Sequence, residues 1–117
     1  MNGFYHIEIP SKDLAAAKAF YEGVFGWKTS TMEGFDSYLL FETGDGVNGA
    51  FSPELEINKK AGILLHIFVE DIDAMLEAIG KHGGKTHISK TEIPGIGFYA
   101  VFSDAEGNQL GLYSEKS

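Results

Sequence analysis

Cysteine is absent from the 117 residues, so neither disulfides nor thiolate chemistry can be part of this chain's working. Basic residues are scarce: nine Lys plus Arg stand against seventeen Asp plus Glu, a formal net charge of −8. That sign repels phosphate backbones and argues against nucleic acid as a partner. No apolar run reaches membrane-spanning length, which argues against a membrane partner. The opening residues MNGFYHIEIP lack the basic and apolar regions of a secretory signal, so the expected location is cytoplasmic. What remains is ordinary for a globular chain, with 44% apolar and 22% charged residues, and the length fits a single domain over residues 1–117.

Residues 4–27, FYHIEIPSKDLAAAKAFYEGVFGW, set the plan. Alternation puts Tyr5, Ile7 and Ile9 on one strand face and His6 and Glu8 on the other. Pro10 ends the strand, and Ser11 or Asp13 can cap a helix whose apolar stripe holds Leu14, Ala17, Tyr21 and Val24. Gly26 suits the left-handed position that closes it. Strands are expected over 27–34, 37–43 and 47–51, with a turn at Gly34-Phe35-Asp36.

The order then repeats. ILLHIFVED reads as a strand, a helix begins at Asp71 and stops at Gly83-Gly84, and KTHISKTEI, FYAVFS and QLGLYS read as strands. Asp13 and Asp71, like Gly26 and Gly84, stand 58 residues apart (71 − 13 and 84 − 26). The closing strands match as Gly49-Ala50-Phe51 and Gly111-Leu112-Tyr113, 62 apart (111 − 49). Duplication of this kind means two modules of one plan, about 1–52 and 63–117, joined by a link at 53–62. The expected fold class is α+β: two βαβββ modules forming a cupped mixed sheet, with helices on the outer face. Strand parity places Tyr5, Leu65 and Leu110 toward the helices, and His6, Glu8, Leu64, His66, Phe68, Gln109, Gly111 and Tyr113 toward the cavity.

These residues resemble the vicinal oxygen chelate superfamily, which includes glyoxalase I, extradiol dioxygenases and bleomycin-resistance proteins. The resemblance rests on His6-Ile-Glu-Ile-Pro-Ser-Lys-Asp13, Ala19-Phe20-Tyr21 with Phe25-Gly26-Trp27, Val69-Glu70-Asp71-Ile72-Asp73 and Asp104-Ala-Glu-Gly107-Asn108. It implies a ligand-binding cup and, in many members, one divalent ion held by His or Glu from the first and last strands of each module. Carried over, those positions fall on His6, Gly49, Leu64 and Gly111, so one donor of four is retained. His66 lies two residues beyond Leu64, about 7 Å along a strand. The expectation is therefore a small-molecule-binding protein with a degenerate, metal-free site and no cofactor. The ligand-binding candidates are His6, Glu8, His66, Gln109, Tyr113 and Trp27. The alternative is a glyoxalase-type lyase using His6 with Glu8 or His66 and a shifted divalent metal. The resemblance also implies a homodimer. His82, at a helix C-terminus, reads as structural, and no nucleophile motif or phosphate loop is present.

Overall fold

The structure, a computed structural model, describes residues 2–115, and of Phe35 the backbone alone. The outermost boundaries drawn from the sequence, residues 1 and 117, lie outside the described residues. The chain is α+β and divides into two compact units, residues 2–57 and 58–115 among those described.

In the first unit, β1 (Ile7–Pro10) leads into α1 (Leu14–Phe25), followed by β2 (Lys28–Met32), β3 (Phe35–Glu42) and β4 (Gly49–Ser52). The sheet order is β1-β4-β3-β2, with β1 parallel to β4 and the other pairs antiparallel. A parallel pair cannot be joined by a tight turn, and here the connection runs through α1, β2 and β3. Helix α1 begins where Asp13 accepts a hydrogen bond from Ala16 N–H and ends at Gly26, whose φ of 70° only glycine adopts freely. Its buried Ala17, Phe20, Tyr21 and Val24 form the expected stripe. Tyr21 stacks on Trp27 and packs against Phe51, and Trp27 stacks on Phe41. Phe41 in turn leans on Phe51 at 5.0 Å between ring centres. An aromatic cluster thus welds helix to sheet.

The second unit repeats the plan with β5 (His66–Phe68), α2 (Ile72–Lys81), β6 (Lys85–Ile93), β7 (Gly97–Ser103) and β8 (Gln109–Ser114), ordered β5-β8-β7-β6. Asp71 caps α2 by accepting from Ala74 N–H. At the other end Gly84 N–H donates to Ile79 O and Gly83 N–H to Gly80 O, the paired pattern that closes a helix around a left-handed glycine; Gly83 has φ 93°. His82 bonds through Nδ1 to Ala78 O, the structural role its position suggested. Ile72 and Ile79 of α2 are buried, as are Ala100 and Phe102 of β7 and Leu110 and Leu112 of β8.

Three expectations change. Strands β1 and β5 start later than the alternation suggested: Tyr5 is 83% exposed rather than packed under a helix, and residues 63–65 precede the ladder. The turn expected at Gly34-Phe35-Asp36 falls earlier, since Phe35 and Asp36 already belong to β3 and Gly34 takes the positive φ. The third concerns how the two modules match. Glu8 pairs with Ala50, and His66 pairs with Gly111. Glu8 and His66 keep the 58-residue spacing (66 − 8), but Ala50 and Gly111 stand 61 apart (111 − 50), not 62. The first-module position opposite β1 is therefore Ala50. Gly49 faces the helix side, where a Cβ would meet the Phe41 ring.

Candidate functional site

Register assigns the faces. Ile9 and Phe51, buried partners on β1 and β4, look toward α1, so Glu8, Ala50 and Leu40 look away from it. Tyr38 shares parity with Leu40. On this open face His6, Glu8 and Tyr38 meet. Tyr38 donates its phenol hydrogen to Glu8 Oε2 at 2.9 Å, and its oxygen lies 2.9 Å from His6 Nε2, where it accepts from the Nε2–H tautomer. His6 and Tyr38 rings lie nearly parallel, 16° apart. His6 Nε2 and Glu8 Oε2 are 3.6 Å apart, an ion pair whenever the imidazole is protonated. Both side chains remain 39% accessible, so the cluster is open to a ligand.

Partial burial raises the Tyr38 pKa, and the hydrogen bond and negative charge of Glu8 raise it further. A phenolate beside a carboxylate would be repelled, so Tyr38 stays a phenol, able to donate and accept. The group can hold a polar or cationic head through Glu8. It can also pass a proton along His6, Tyr38 and Glu8.

The other sequence candidates separate. Trp27 does not share this face: its ring is sandwiched between Tyr21 and Phe41 on the helix side. In the second unit His66, Phe68, Gly111 and Tyr113 share a face by register, opposite the buried Leu112. The Tyr113 hydroxyl donates to Ile96 O at 3.2 Å, which fixes its ring beside Phe68. Gln109 serves the backbone instead. Its side-chain amide donates to Lys59 O at 2.8 Å, and its main-chain N–H donates to Asn58 O. That loop is braced by a buried pair, in which Asn108 donates to Asp104 and accepts from Asn58 N–H. The Asp104-Ala-Glu-Gly107-Asn108 motif is therefore architectural. Sequence reasoning missed Tyr38. The signal was the alternation of SYLLFET, which sets Tyr38 and Leu40 apart from Leu39 and Phe41, but only the register through β4 ties that parity to His6.

A divalent ion of the kind the resemblance implies does not fit the residues present. Its donor positions fall on His6, Ala50, Leu64 and Gly111, and three of these carry no donor atom. Among the described residues no group of three or more His, Asp or Glu side chains is arranged to hold a metal.

Comparison with known proteins agrees with this architecture. A glyoxylase-like domain-containing protein of Didymella fabae is 32% identical over 109 residues, covering 87% of this chain and 85% of that one. The anthracycline biosynthesis protein DnrV of Streptomyces peucetius is 25% identical over 122 residues, which is 91% of this chain and only 44% of DnrV. Among solved structures, the fosfomycin resistance protein FosX of Listeria monocytogenes superimposes with a TM-score of 0.80 at 19% identity, covering 97% of this chain and 91% of that one. A glyoxylase/bleomycin resistance protein/dioxygenase domain from Frankia gives 0.76 at 20%, covering 98% of each chain. At such identities these two speak for the fold. Residues 3–112 match the profile of one family, and the chain belongs to it: the Glyoxalase/Bleomycin resistance protein/Dioxygenase superfamily.

Proposed function

We propose that this chain binds a small organic molecule on the His6–Tyr38–Glu8 face without a divalent ion. One observation carries the reading. The single retained family donor, His6, is already engaged by a tyrosine that is itself bonded to a carboxylate, while Ala50, Leu64 and Gly111 offer nothing to complete an ion's shell. Glu8 on that face, in a chain of net charge −8, favours a ligand bearing a positive or strongly hydrogen-donating group. The test is elemental analysis of protein purified with neither added metal nor chelator, together with a calorimetric screen of small amines. Metal far below one ion per chain with saturable binding that Glu8→Gln weakens is the expected outcome. A full equivalent of nickel, zinc or manganese that follows activity would sink the proposal.

The hydrogen-bonded chain from His6 to Glu8 favours one second reading, a lyase of glyoxalase type moving a proton through these groups. It requires measurable turnover of a hemithioacetal that His6→Ala abolishes while the fold persists. No turnover with nickel, zinc or manganese supplied would remove it.

A further inference from the structure

Two glycines on the closing strands are glycine for different reasons. A Cβ on Gly49 would stand 1.7 Å from the main-chain oxygen of Ile7, an obstacle that cannot move without breaking the β1–β4 ladder. A Cβ on Gly111 would meet nothing so rigid. Its three nearest atoms all belong to the ring of His66: Cδ2 at 2.5 Å, Nε2 at 2.6 Å and Cγ at 2.9 Å. Backbone bars a side chain at 49; at 111 the obstacle is one exposed imidazole, which would have to turn aside. His66 is the register partner of Gly111, so its ring lies across the strand into the volume that a side chain on β8 would fill. The ring is exposed, and neither nitrogen has a hydrogen-bond partner among the described residues. Two of the other histidines are engaged, His6 by Tyr38 and His82 by Ala78 O.

A carboxylate at 111 would only accept hydrogen bonds and would attract a cation. An imidazole in the same space both donates and accepts. The nearby positions at which the resemblance places metal donors, Leu64 and Gly111, add no side-chain donor to it. We infer that His66 has taken over position 111 as the ligand-facing group of the second module, contacting hydroxyl or carbonyl oxygen of a small molecule in place of a metal ion. This rests on the small-molecule reading above, but its test does not need that molecule.

The experiment has two arms. Gly111→Ala, His66→Ala and the double variant are unfolded in urea. Alanine at 111 lowers the midpoint when His66 is present and leaves it nearly unchanged when His66 is alanine. Should Gly111→Ala fail to fold, recovery of folding in the double variant is the same result. In the second arm, carbon-detected ring resonances of His66 in the unaltered chain are followed by NMR. They move saturably with hydroxyacetone, which carries both oxygen types, and stay in place with one equivalent of zinc. Additive midpoints overturn the seating of His66; a stoichiometric zinc shift, or no response to hydroxyacetone, overturns its role. Loss of amine binding at the His6 face with both arms intact would sink only the earlier reading.

Discussion

Tyr38 links His6 and Glu8, and its proton is the quantity to watch. Its raised pKa means the native state holds the phenol proton more tightly than the unfolded chain does. The stability this contributes is therefore complete below the usual phenol pKa of 10.0 and is lost as pH rises through the higher folded value. Ultraviolet titration of the native chain will show one tyrosine ionising later than an ordinary phenol. Burial alone keeps part of that delay in Glu8→Gln, so the delay shrinks without vanishing. A curve unchanged by Glu8→Gln would mean the hydrogen bond at 2.9 Å is not formed in solution. Tyr38→Phe removes the bridging hydroxyl and lowers stability by about 1 kcal/mol, read from urea unfolding. This triad was half legible in the sequence. His6 and Glu8 follow from alternation and resemblance, but Tyr38 needed the register of two intervening strand pairs. Trp27 went astray for a related reason: it follows the left-handed Gly26, where strand parity has no fixed origin.

At the scale of elements, what the sequence states locally is what the structure keeps. Asp13 and Asp71 each accept a hydrogen bond from the main-chain N–H three residues on, and both were readable because capping chemistry is confined to one turn. Asp13→Ala and Asp71→Ala should each lower stability by about 1 kcal/mol, and the double variant by the sum, since each caps its own helix in a separate unit. Urea midpoints of the three variants decide it, and a double variant far from additive would show that the caps are coupled. What requires partners from afar was less legible. The openings FYHI and ILL alternate or run apolar like strands, yet ladder pairing begins only at Ile7 and His66. The duplicated pattern hid a one-residue difference between the modules, because 49–51 and 111–113 look alike as text while their pairings differ. Gly49→Ala is accordingly expected to be far more destabilising than Gly111→Ala in a His66→Ala background, because only the first must displace a main-chain oxygen.

For the whole molecule the resemblance implies two copies, and the N-terminal arm offers a physical reason. Phe4 is 92% and Tyr5 83% exposed, just ahead of β1, which is the outer strand of its sheet. Two neighbouring aromatic rings left in water this fully favour association, at roughly 25 cal/mol for each Å² of apolar surface they bury. Charge opposes it, because each copy carries −8. Salt screens that repulsion over about 10 Å at 0.1 M while leaving ring burial intact, so the balance has a sign that can be measured. Sedimentation should give twice the chain mass, with the paired fraction growing as sodium chloride is added. Phe4→Ser with Tyr5→Ser should shift it to the mass of one chain without altering the urea midpoint of the fold, because neither ring is buried within the chain. A single-chain mass for the unaltered protein at high concentration and high salt would mean that the rings serve something other than self-association. A pair that weakens with salt would instead place opposite charges, not these rings, at the contact.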